Sequence, residues 1–299
     1  MKFLHKYMRA IGFSTLESRK RLQELLAETV MSADRRSVTR NQDNHILGEF
    51  CKDFAQGVGI AVCGEFDEDE RFTYEYYFPY LEGSGITSYE DVSVERHADK
   101  ESYAGVCDDI KVGMSLIFYL KNKIPYIKAM ISNQLPVRGT SLTLSALSVN
   151  GTIVLPIQKN EEQMERVKQA SATRSSLMAA ARKGDEDAIE TLTLEDMDMY
   201  TTISRRIQKE DVFSLVDTYF MPYGVECDQY SVLGEIVGMQ LVTNQMTNEK
   251  IYILRICSNE LTFDVSINII DIYGEPQIGR RFKGVIWLQG NINFPESFA

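Results

Sequence analysis

Apolar positions along this chain keep two different spacings, and the spacing switches three times. In "FSTLESRKRLQELLAETV" the residues Leu22, Leu25, Leu26 and Val30 fall on one helical stripe. Ser14 and Glu17 have the S-x-x-E spacing of a capping box, which predicts the helix start there. "MSADRRSVTRNQDN" then reads as a polar connector. From His45 to about Asn122 the period drops to two. "ILGEF", "GVGIAVCGEF", "FTYEYYFPY" and "VGMSLIFYL" predict short strands, with "FDEDERF" as a hairpin turn. In "TSLTLSALSVNGTIVLPI" the pair Asn150-Gly151 predicts a second hairpin.

Residues 160–208 return to helix formers. Asn160 is the expected cap, Lys183-Gly184-Asp185 ends one helix and begins the next, and Thr193 and Asp196 mark a third start. Beyond Asp211 the strands resume. "LTFDVSINII" places Leu261, Phe263, Val265, Ile267 and Ile269 on one face and Thr262, Asp264, Ser266 and Asn268 on the other, a half-buried antiparallel strand. Gly234 and Gly238 in "YSVLGEIVGMQLV" let a long strand bend, and a bent strand followed by alternating ones predicts a small OB-like barrel. The expected fold class is α+β: an N-terminal helix and antiparallel β module over 1–158, a helical segment over 159–210, and a second antiparallel β module over 211–299. A faint echo of "ILGEF" (46–50) in "VLGEI" (232–236) is equally compatible with related modules and with chance.

A chain of 299 residues buries a sizeable core without metal or disulfide staples. The net charge of −11 is unevenly spread: residues 1–40 hold 9 Lys/Arg against 4 Asp/Glu, the rest 23 against 39. An acidic body repels phosphate backbones, so nucleic acid is a disfavoured partner, and the basic start reads as a solvated helix face. Five dispersed cysteines (51, 63, 107, 227 and 257) fit reduced thiols. No stretch reaches membrane-spanning length, and "MKFLHKYMRAIGF" lacks a signal-peptide core, so a cytoplasmic protein with no membrane partner is expected.

No phosphate-binding loop, zinc-protease or serine-hydrolase motif is present, and "GVGIAVCG" lacks the third glycine of a dinucleotide loop. His45 and Glu49 would lie about 13 Å apart on a strand, too far to share a metal. His97 reads as a surface group, Asp67 to Glu70 as a solvated turn, and Cys51 and Cys63 as inert thiols. No cofactor is expected. One stretch stands out. In "RRFKGVIWLQG" (280–290), Phe282, Ile286 and Leu288 face the core while Arg281, Lys283, Val285 and Trp287 face outward. Basic groups interleaved with the single tryptophan form a candidate binding face, Arg281/Lys283/Trp287, whose plain alternative is a packed structural surface.

"HKYMRAIGFS", "YFPYLEGSGITSYEDVSVERH", "AARKGDEDAIETLTLEDMDMY", "EDVFSLVDTYFMPYGVECDQYSVLGEI" and "IGRRFKGVIWLQG" resemble, over essentially the whole chain, a family of cytoplasmic proteins of about this length from clostridial-type bacteria, catalogued as a domain of unknown function. The resemblance implies a single unit and carries no assigned site residues. The expected function is a non-catalytic binding or interaction module whose partner is an unknown protein or a small anionic ligand. The alternatives are an enzyme on a small anionic substrate in a cleft between the β modules, with acidic residues and His97 as acid and base, and single-strand nucleic-acid binding by a barrel face. A cleft holding two or more titratable groups of strongly perturbed pKa would favour the enzyme.

Overall fold

A computed structural model of the chain describes residues 4–96, 102–109, 112, 114–135, 139–157, 161–206 and 212–295. It is an α+β protein. A 3-10 turn, Lys6–Ile11, leads into helix α1 (Arg19–Met31). Strands β1 (Arg35–Arg40), β2 (Ile46–Ala55), β3 (Val58–Phe66) and β4 (Phe72–Leu81) form a four-stranded antiparallel meander. Strands β5 (Val92–Arg96), β6 (Tyr103–Cys107) and β7 (Leu116–Leu120), helix α2 (Lys123–Ile131) and the long β8 (Ser141–Val154) follow. Helices α3 (Glu161–Arg182), α4 (Glu186–Arg206) and α5 (Val212–Leu215) precede β9 (Tyr219–Pro222), β10 (Gln229–Thr243), β11 (Lys250–Ser258), β12 (Leu261–Asn268), β13 (Ile272–Tyr273) and β14 (Arg281–Asn293).

Five of these strands close a barrel in the ring order β8-β12-β11-β10-β14, shut by the β8–β14 pairing. The meander β10–β11–β12 is antiparallel and the β12–β8 seam is parallel. An OB barrel has this ring, and here its last strand comes first in the chain as β8. Bending at the glycines holds: β10 pairs with β14 over 229–235, slips register between Ile236 and Gly238, and pairs with β11 over 235–243. The ring also corrects two expectations. The boundary at 158 cuts through the barrel, and β8 passes straight through Asn150-Gly151 instead of turning. That pair sits where the β8–β14 ladder slips, and the Asn150 Oδ1 accepts the Val285 N–H at 3.1 Å.

Other local expectations are also adjusted. Helix α1 starts at Arg19, not at a Ser14/Glu17 box, because the Ser14 N–H and hydroxyl go to the Glu249 carboxylate instead. Its stripe is as expected, with Leu22, Leu25 and Leu26 buried. The polar connector contains β1, an edge strand paired with β2. Gly184, at φ +88°, ends α3, and Asp185 caps α4 by accepting the Ala188 N–H. Helix α4 runs through Thr193 and Asp196, where the Thr193 hydroxyl donates to the Ile189 carbonyl. Asn160 and His97 lie outside the described residues.

Two cores result. One fills the barrel with Phe263, Val265, Ile267, Phe282, Ile286 and Leu288, all fully buried. The other joins the N-terminal segment, α1 and the meander to the outside of the barrel through Tyr7, Ile11, Leu26, Val62, Leu147 and Trp287.

Candidate functional site

The outward face of β14 is present but covered. The Arg281 guanidinium, 5% exposed, donates to the carbonyls of Leu155, Phe213, Val216 and Asp217. It thereby clamps both ends of the helical insertion. Trp287, also 5% exposed, stacks on Tyr7 with ring centroids 5.3 Å apart, and its indole N–H donates to Asp228 at 2.7 Å. Lys283 alone is half-exposed, its ammonium 4.4 Å from the Phe213 ring centroid. An accessible basic-aromatic face of Arg281, Lys283 and Trp287 therefore does not form, because the outside of this barrel is itself an interior surface.

The same holds for the polar side of β12. Asp264, Ser266 and Asn268 are at most 5% exposed. They meet the Ser84 hydroxyl, the Ala10 carbonyl and the Glu249 carboxylate respectively. The expected half-buried strand is buried on both faces, and the basic N-terminus docks through its 3-10 turn onto the surface that OB barrels use for ligands.

The chemistry collects elsewhere, on one face of the meander. Alternation puts Glu49, Cys51 and Asp53 of β2 on that face, and the ladder sets Arg35 opposite Cys51, Cys51 opposite Ala61, and Ala61 opposite Phe78. Gly59 leaves space for the Tyr80 ring: a Cβ there would lie 2.5 Å from the Tyr80 oxygen. Tyr80 thus reaches across to donate to Asp53 at 2.5 Å. Facing this sheet are Lys121, Asn122 and Pro125, where β7 passes into α2, and Asn291 of β14. Between them lies a cleft of about 180 Å³.

Its mouth is wet and its floor is dry. At the mouth the Arg35 side chain is 50% exposed, and its Nη2 binds Glu82 at 2.5 Å and the Tyr80 hydroxyl at 3.1 Å. Its Nε and Nη1 make no hydrogen bond among the described residues. At the floor Glu49 and Lys121 are 8% and 7% exposed. Burial pushes the Glu49 carboxyl up from its ordinary value, with the Lys123 charge pulling against it. Burial drives the Lys121 ammonium down to about 8, opposed by Glu82. The Cys51 thiol is pushed well up by burial and then by Glu49, which makes it a poor nucleophile. Lys123 is held by the Tyr76 hydroxyl at 2.5 Å. Around the cleft three cationic side chains, Arg35, Lys121 and Lys123, face three carboxyls, Glu49, Asp53 and Glu82.

Larger depressions lie beside Lys283 (about 440 Å³), beside α1 (about 340 Å³) and beside Trp287 (about 600 Å³). None of these combines a buried carboxyl with a buried amine, and the cleft does. His45 pairs with Glu65 at 3.4 Å, away from both Cys51 and Cys63. Among the described residues no group of three or more His, Cys, Asp or Glu is placed to hold a metal ion. No helix among the described residues is long and apolar enough to cross a membrane.

The family model described as a domain of unknown function, E. rectale gene description (DUF3881), matches residues 8–290. The chain belongs to this family. No curated protein and no solved structure matches it. The DUF3881 match covers the meander, the helical insertion and the barrel as far as residue 290, so every cleft residue except Asn291 falls inside it. Of the cleft residues, sequence reading considered Glu49, set aside as a metal ligand with His45, and Cys51, read as inert, and missed the others. The available signal was a strand, "ILGEFCKDFA", that carries Glu49, Cys51 and Asp53 where an ordinary core face would be apolar.

Proposed function

We propose that this DUF3881 protein is a cytoplasmic protein that binds a small anionic molecule in the cleft between the meander and the barrel. One observation carries the reading: Arg35 stands at the mouth with its Nε and Nη1 without a partner among the described residues, above a floor that holds the buried Lys121 amine. Each of these N–H donors can make a charge-assisted hydrogen bond to a carboxylate or phosphate oxygen. The Ser37 hydroxyl on the same wall adds a further donor. The volume lies below the range of drug-sized sites and suits a ligand of a few heavy atoms. Two perturbed ionisable groups in one cleft favour an enzyme over a passive module.

Nucleic-acid binding loses support from the covering of the β12 face and of Trp287, the surfaces it would need. The test is calorimetric titration with phosphate and with mono- and dicarboxylates of two to five carbons. At least one should bind, and Arg35→Met should weaken it about tenfold, the worth of roughly 1.4 kcal/mol. Absence of binding by the whole series, or binding indifferent to Arg35→Met, would overturn the proposal.

A further inference from the structure

We infer that Lys121 is a nucleophilic amine that forms an imine with a short carbonyl-bearing acid, such as a 2-oxo acid, held in the cleft. This rests on the anion-binding reading and adds the substrate class and the bond that forms.

The hydrogen-bond inventory points this way. Lys121 sits at the end of β7 with its Nζ bonded to the Leu81 carbonyl and to the Ser145 hydroxyl, the latter at 3.0 Å. Ser145 in turn donates to Leu81 at 2.7 Å. These two acceptors use the two N–H groups of a neutral amine and leave its lone pair free. A charged ammonium would have a third N–H with no partner among the described residues. Lys121 also makes no ion pair among those residues, whereas Lys52, at the surface of the same sheet, pairs with Glu28 at 3.8 Å. A lysine buried to 7% exposure without a carboxylate, and lining a cavity, differs from an ordinary structural lysine. Its depressed proton affinity has the same physical origin, the loss of water around the charge. The neighbouring Lys123, by contrast, is occupied by the Tyr76 hydroxyl and ring.

The geometry of the cleft orders the substrate. A carboxylate accepting from the remaining Arg35 N–H groups leaves the carbonyl to point inward, toward the buried amine. The Lys121 nitrogen lone pair attacks the carbonyl carbon and the C–N bond forms. The carbonyl π pair moves to oxygen, which is protonated, giving a carbinolamine. That hydroxyl takes a second proton and leaves as water as the C=N bond closes. Both protons lost from nitrogen end on the departing oxygen, and no oxidant or reductant takes part. Glu82, whose field reaches Lys121 from the mouth, is the group placed to carry a proton between them.

The experiment incubates the full chain with pyruvate and borohydride, with lactate as the matched acid that lacks a carbonyl. The expected result is a borohydride-stable mass gain of one reduced pyruvyl group. Tryptic mapping should place it on Lys121, at about tenfold the rate of labelling at exposed lysines such as Lys20. Lys121→Arg should lose the adduct, and mapping of the wild-type protein decides the matter should that variant fail to fold. Uniform labelling of the lysines, or none, overturns the inference. Lactate binding without a pyruvate adduct sinks the imine and leaves anion binding standing. Neither binding nor adduct sinks both.

Discussion

Arg281 and Lys121 show how differently two buried cations can be used. Arg281 spends its guanidinium on main-chain carbonyls at both ends of the helical insertion, a structural role. Removing it leaves those acceptors unpaired, so Arg281→Met should cost about 3 kcal/mol in urea denaturation, and a change under about 1 kcal/mol would contradict the clamp. Lys121 instead costs stability while protonated. The unfolded chain holds that proton up to the ordinary lysine value of 10.5, whereas the folded protein releases it at about 8. Between those values the unfolded state binds the extra proton, so stability rises with pH by about 3 kcal/mol from this group, and below pH 8 the penalty is complete. The thiols of Cys51, Cys63 and Cys107 act oppositely above their ordinary value of 9.0, because burial raises all three. The effect is therefore read as a difference between proteins. Lys121→Met should gain most over wild type below pH 8 and lose that advantage toward pH 10.5. A gap that is flat with pH would mean that Lys121 is not desolvated.

Among the elements, the helices α3 and α4 stand apart. They pack on each other, with Arg174 paired to Asp196 at 2.7 Å, and α4 leaves Ile189, Leu194 and Met197 exposed. Among the described residues Arg182 of α3 donates to the Asp108 carbonyl at 3.1 Å. One guanidinium touches the chain on both sides of the insertion, so a few glycine and serine residues can span the gap. Replacing residues 158–211 by such a linker should keep the barrel folded, with a stability change within about 1 kcal/mol. Loss of native Trp287 fluorescence in that variant would show that the helices hold the barrel together. Strand β12 shows the limit of pattern at this scale. Its alternation was legible, but alternation reports two chemically different faces and not which of them meets water. Here the polar face is covered by the N-terminal turn and its groups are satisfied there.

In the whole molecule the meander and the barrel share a core, with Tyr7, Val62, Leu147 and Trp287 in one cluster. Shared burial of this kind couples their unfolding. The single tryptophan lies in that junction, so its fluorescence reports on it. Urea unfolding followed by Trp287 fluorescence and by far-ultraviolet circular dichroism should give one coincident transition. Two separated transitions would restore the picture of independent β modules. The charge distribution belongs to this scale too. The chain is acidic overall, yet its fold brings Arg35 and Lys121, far apart in sequence, to one cleft.

The sequence by itself determined the α+β class, the helical stripe of α1, the Gly184 break, the turn at 67–70 and the bent strand that opens the barrel meander. Each of these depends on residues within a few positions of one another, where backbone geometry and local hydrogen bonding decide. Tertiary structure alone decided the rest. Asn150-Gly151 became a ladder irregularity because β14 lies alongside the whole of β8, which no local preference encodes. Arg281 and Trp287 were read as a surface because they point away from the barrel interior, and they are buried because a second layer covers that side. The cleft was invisible because it joins β1, β2, β4, the β7–α2 junction and β14. What makes Glu49 and Lys121 unusual is the loss of water around them, a property of the packed fold and not of their neighbours along the chain.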